Sequence, residues 1–131
     1  VVHPARPPVS AAAAERPPNH LDIIEAALRS PTFANVYFDI SWSEVAKYVV
    51  ATPGNLREMA AIINQYPQRF LFGSDEVAPA DQETYLRVYR QYAPLWDALT
   101  EEARYAVLKG NYERLFDQAA SKVRAWEAEN L

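Results

Sequence analysis

Arg69-Phe70-Leu71-Phe72-Gly73-Ser74-Asp75 is the stretch on which the fold turns. Three large apolar residues in a row, stopping at a glycine, read as a short buried strand. Alternation puts Leu71, Gly73 and Asp75 on one face and Phe70, Phe72 and Ser74 on the other, so that Gly73 leaves space beneath the carboxylate. Asp75 then stands just past the strand, at its C-terminal rim.

Upstream of this strand, a helix is expected to start at Asn55, with Glu58 completing a capping-box-like arrangement, and to run through Leu56, Met59, Ala60, Ile62 and Ile63 to Tyr66. Pro67 ends it. Before it, Pro53-Gly54 reads as a turn, and Ser41 or Ser43 as the cap of a helix over Glu44 to Val50. Asn35-Val36-Tyr37-Phe38-Asp39-Ile40-Ser41, rich in β-branched and aromatic residues, reads as an earlier strand. Strand, helix, strand at this spacing favours a parallel pair. Asn19 is the expected cap of a helix closed by Pro31, and residues 1–18, with five of the ten prolines, are expected to form an extended Pro-rich loop with a short helix at the alanine run Ala11 to Ala14.

Downstream of Asp75 the pattern is helical to the end. Asp81 opens a segment with Tyr85, Leu86, Val88, Tyr89 and Tyr92, and a turn after Pro94 holds Leu95, Trp96 and Leu99. Thr100 caps Glu101 to Lys109, Gly110 breaks that helix, and Asn111 opens a last amphipathic one. Most of the helical aromatics are expected to pack in a core or an interface. The fold class implied is α/β: two to three parallel strands, about six helices, and a helical C-terminal half. Such a strand set has apolar faces that need further partners, because two strands cannot close a sheet.

The chain has 131 residues, half of them hydrophobic, which suits one globular domain, whereas a complete eight-stranded α/β barrel takes roughly 250. A net charge of -4 and a pI near 5.2 argue against nucleic acid as a partner, since no cationic cluster is present to neutralise phosphates. Without cysteine there is no disulfide, thiolate nucleophile or sulfur-ligated metal, so any metal must take nitrogen and oxygen ligands. No membrane span is legible, and a cytoplasmic location is expected. With Val1 first and Met59 the sole methionine, further sequence upstream is expected.

Taken together, Asn35 to Trp42, Arg69 to Asp75, and Gly110-Asn111-Tyr112-Glu113-Arg114-Leu115-Phe116 resemble the closing third of the amidohydrolase-related metal-dependent hydrolases. The resemblance runs from about His20 onward. It implies a single C-terminal fragment, residues 1–131, of a (β/α)8 (TIM) barrel, with the last βα units over 19–80 and closing helices over 81–131. In such barrels the C-terminal rim of the strands holds the active site. The resemblance makes Asp75 the catalytic carboxylate, as metal ligand or as base for the attacking water. A carboxylate is suited to either task, because a divalent ion lowers the pKa of its bound water towards neutrality. It also suggests His3 as a second ligand, at the end of a remnant strand Val1-Val2-His3, although Pro4 departs from the small residues the family has there.

Asp39, Trp42 and Glu76, beside the two strand ends, are the expected substrate-pocket residues. Plainer roles stand beside the site readings: Asp39 bonding nearby backbone, Trp42 packing, and His3 and His20 solvated. The implied cofactor is a divalent metal, zinc first, in the full-length protein. A small-molecule substrate and a homo-oligomer are the implied partners. The family's His-x-His pair has no counterpart in this sequence, so the isolated chain is expected to show no appreciable hydrolysis. An aromatic-rich helical module for binding or assembly is the alternative, and a degenerate remnant a third.

Overall fold

The structure, a computed structural model, describes residues 19–131. The expected Pro-rich loop over 1–18, and His3 within it, lie outside the described residues. Seven α-helices and two short strands follow in the order α1 (His20–Arg29), β1 (Phe38–Asp39), α2 (Ser43–Val49), α3 (Pro53–Gln65), β2 (Phe70–Leu71), α4 (Gln82–Gln91), α5 (Ala93–Ala98), α6 (Glu101–Tyr105) and α7 (Gln118–Asn130). The described residues are thus mostly helical around one parallel strand pair. Among them, no helix is long and apolar enough to cross a membrane.

β1 and β2 pair in parallel, with Phe38 opposite Phe70 and Asp39 opposite Leu71, and the Ile40 N–H donates to the Leu71 carbonyl at 3.0 Å. The expected strands were longer. With one neighbour each, they keep ladder geometry only where Phe70, fully buried, anchors them. Burying a phenylalanine side chain stabilises by about 1.5–3 kcal/mol. Around it pack Ile62 and Ile63 of α3, Val88 of α4, Leu95 and Trp96 of α5, Ala103 of α6 and Val107 beyond it.

Local chemistry explains most helix starts. The Asn19 side chain accepts from the Asp22 N–H, and Asp22 returns the bond to the Asn19 N–H, each at 2.9 Å. Asp81 caps α4 and Thr100 caps α6, each accepting from the N–H three residues on. Two expected starts are corrected. α3 begins at Pro53 with Thr52 as its cap, because proline lacks the N–H that a first helical turn leaves unpaired. α2 is preceded by Trp42 with no side-chain cap, and the Ser41 hydroxyl is engaged elsewhere.

Gly110 does not break the helix. The chain passes through it as a π-helical turn, Ala106–Gly110, and a second, Glu113–Asp117, before α7. A Cβ at Gly110 would lie 2.8 Å from the Tyr105 ring, five residues earlier, so glycine is there to admit that ring in the wider turn. Nor does Asn111 open a helix. It is buried, and its amide donates to the Pro67 and Phe70 carbonyls, both at 2.7 Å, tying the π-helical segment to the entrance of β2. Arg114 continues the latch with a 2.8 Å bond to the Gln68 carbonyl, while Arg69 reaches the Val36 carbonyl at 2.7 Å. The guanidinium groups of Arg69 and Arg114 both stand over the Tyr37 ring, 5.8 and 5.6 Å from its centroid respectively.

Candidate functional site

At the C-terminal ends of β1 and β2 an open cavity of about 460 Å³ is lined by Asp39, Ser41, Trp42, Gly73 and Asp75. Parallel pairing causes this convergence. The two strands leave the core in the same direction, so residues 39–42 and 73–75 emerge side by side although more than thirty positions separate them.

The β1 side is held by its own polar groups. One Asp39 carboxylate oxygen accepts from the Ser41 N–H at 2.7 Å and from the Ser41 hydroxyl, an Asx-type turn that ends the strand. The Ser41 oxygen in turn accepts from the Gly73 N–H at 2.6 Å. Asp39 thus does bond nearby backbone, and it does so while facing the cavity. Trp42, next along, adopts φ 84° and ψ 139°, a conformation that costs a residue with a side chain about 1–3 kcal/mol. It leaves the indole about half exposed at the cavity.

On the β2 side, Asp75 takes φ 49°, in the left-handed region that aspartate tolerates better than most residues. Its carboxylate is exposed and makes no hydrogen bond or ion pair to the described residues. Glu76, half-buried, is not among the residues lining the cavity, and its N–H donates to the Ser74 hydroxyl at 3.3 Å. His20 lies in the first turn of α1, exposed, and away from the cavity lining.

Behind the cavity stands Tyr92, fully buried. Its hydroxyl donates to the Ile40 carbonyl and lies 3.2 Å from that of Trp42. Burial, and then the negative charge of Asp39, push its pKa well above the ordinary 10.0, so the hydroxyl remains a proton donor at any physiological pH. Its ring packs at 5.1 Å on Phe72 and at 5.3 Å on Trp96. Sequence reasoning placed Tyr92 in a helix and missed this role. No local signal marks a tyrosine that bonds residues fifty positions away. Ser41 was read only as a helix cap, and its proximity to Gly73 depends on the strand pairing.

The donors at the cavity are hard oxygens of the kind a divalent cation takes. One Asp39 oxygen is engaged with Ser41, which leaves its second oxygen and the Asp75 carboxylate facing the cavity. Among the described residues no group of three His, Cys, Asp or Glu side chains is placed to hold a metal.

A family model described as Amidohydrolase matches residues 1–118. No curated protein and no solved structure matches the chain.

Proposed function

The chain belongs to the amidohydrolase family, and from that premise we propose that it forms the C-terminal part of a barrel hydrolase with Asp75 as the catalytic carboxylate. The observation that carries this reading is the position of Asp75. It stands just past the C-terminal end of a parallel strand, facing a cavity, with its carboxylate free of partners among the described residues. A free carboxylate there can accept a proton from a water molecule. The water oxygen bonds to the carbonyl carbon of a small amide or ester, and the C–N or C–O bond breaks. The proton held by Asp75 then passes to the departing nitrogen or oxygen. Nonoxidative decarboxylation on the same scaffold is the variant reaction.

A divalent ion, zinc first, would supply acidification of the attacking water. Asp75 would ligate it, and further ligands would come from outside residues 19–131, with His3 one candidate. Asp39 and Trp42 would shape the substrate side of the cavity, with Glu76 at its edge. The reading includes a small-molecule substrate and a cytoplasmic location.

The test is a hydrolase panel of amides, lactones and aromatic carboxylates on the longest natural polypeptide carrying this sequence, with Asp75→Asn beside it. General-base catalysis contributes roughly 10²–10⁴-fold, so a loss of that size in kcat/KM is expected. An active parent protein indifferent to Asp75→Asn would overturn the assignment. Residues 1–131 alone are expected to be inactive, and measurable hydrolysis by them that Asp75→Asn abolished would overturn that expectation.

A second reading, an assembly module, draws on the C-terminal helices, where Tyr112, Phe116, Val123 and Trp126 are all more than half exposed. Large apolar side chains left in water at this density favour association.

A further inference from the structure

We infer that Tyr92 is the positioning residue of the cavity: its hydroxyl fixes the carbonyls on either side of Ser41, and through Ser41 it sets where Asp39 and the Gly73–Asp75 loop stand. The inference deepens the hydrolase reading and rests on it for any catalytic consequence. The geometric claim is independent of that reading.

The chain of contacts is continuous. From the junction of α4 and α5, the Tyr92 hydroxyl reaches the Ile40 carbonyl and, at 3.2 Å, that of Trp42. Those two carbonyls bracket Ser41, whose hydroxyl lies between the Asp39 carboxylate and the Gly73 N–H. On the other strand the Tyr92 ring touches Phe72, the residue before Gly73. One side chain therefore grips both strand ends beneath the cavity.

The Trp42 backbone gives a reason for such a grip. A residue with φ 84° relaxes unless its surroundings hold it, and the bond to its carbonyl acts against that relaxation. In the two-stranded ladder described here, cross-strand hydrogen bonds alone hold the strand ends weakly. Tyr92 does not line the cavity, so it acts through Ser41 and not on substrate.

Hydrogen–deuterium exchange read by mass spectrometry tests this on the full polypeptide, without any substrate, for wild type, Tyr92→Phe and Ser41→Ala. Phenylalanine keeps the ring packing and deletes only the donor. In Tyr92→Phe, peptides covering 38–44 and 71–77 are expected to exchange about tenfold faster, while reference peptides from α3 and from 103–108 change by no more than a common small factor. Ser41→Ala is expected to speed exchange at 71–77 alone, and the double variant to add little there. Uniform acceleration of all peptides would mean that Tyr92 is core packing only, and unchanged exchange at 38–44 and 71–77 would equally overturn the proposal. Should Tyr92→Phe fail to fold, the wild-type protein decides by NMR. A water-shielded Tyr92 hydroxyl proton must appear, with through-space contacts to the Ile40–Trp42 backbone, and its absence would overturn the inference. If exchange behaves as expected and the hydrolase panel is silent, the geometry stands and only the enzymatic reading falls.

Discussion

Ser41 and Gly73, thirty-two residues apart, meet across the two strand ends, where the Gly73 N–H donates to the Ser41 hydroxyl oxygen at 2.6 Å. A Cβ added at Gly73 would lie 3.3 Å from that oxygen. The hydroxyl is also committed to Asp39, so it has little freedom to retreat. Gly73→Ala should therefore destabilise by about 1 kcal/mol, at the mild end of overpacking. In a double-mutant cycle by urea unfolding, Ser41→Ala should remove most of that penalty. Additive effects of the two substitutions would show that the contact is not strained.

Asp75 separates backbone preference from chemistry. At φ 49°, asparagine is tolerated as well as aspartate, and the exposed carboxylate has no partner to lose among the described residues. Asp75→Asn should leave stability within about 0.5 kcal/mol of wild type, whereas Asp75→Ala should cost about 1 kcal/mol, because alanine has no side-chain oxygen to favour the left-handed region. Thermal unfolding of the two variants side by side checks the split.

Removing the Asn111 amide leaves two carbonyls, of Pro67 and Phe70, without their donor in a buried setting. Each unsatisfied buried group costs about 1–3 kcal/mol, so Asn111→Ala should lose about 3 kcal/mol or fail to fold. Asn111→Gln, which keeps the amide but moves it by one methylene, should not restore the loss. Chemical denaturation measures both.

The acid limb of stability should carry a contribution from Asp81. Its carboxylate accepts the Thr84 N–H at 2.7 Å, which, with the Thr84 side chain, holds its pKa below the ordinary 3.8. A depressed folded-state pKa gives stability that is fully present above the unfolded value and is lost as pH falls from about 3.8 through the lower folded value. α4 should fray in that window by circular dichroism. Asp81→Asn, which caps without titrating, should flatten this part of the pH profile.

Residues 1–131 on their own should self-associate in sedimentation experiments, through the exposed aromatic residues of the C-terminal helices and the open strand edges. Replacing Phe116 and Trp126 together by serine should shift the distribution towards monomer. A concentration-independent monomer with a sharp cooperative melt would instead mark a self-sufficient module.

Much of this architecture could be read directly from local chemistry. Asn19, Asp81 and Thr100 announce helix starts because a side-chain oxygen can satisfy an N–H three residues on whatever the rest of the chain does. Phe70-Leu71-Phe72 announces a buried strand, and its sequel Gly73-Ser74-Asp75, with the Asn35–Trp42 segment, carried the resemblance that the family match confirms. Gly110 and Asn111 misled, since the same two residues that signal a helix end also suit a π turn. Which of the two forms depends on whether a ring such as Tyr105 comes to rest against the glycine.

By itself the sequence determined the helix starts at Asn19, Asp81 and Thr100, the presence of two apolar strands, and the family, because these rest on interactions spanning a few residues or on a pattern of residue types. Only the tertiary structure decided that Asp39, Ser41, Gly73 and Asp75 share one cavity and that Tyr92 closes it from behind. Those contacts join residues thirty to fifty positions apart. They form only after parallel pairing and burial of Phe70 have brought the strand ends together, and no local preference of the chain encodes that approach.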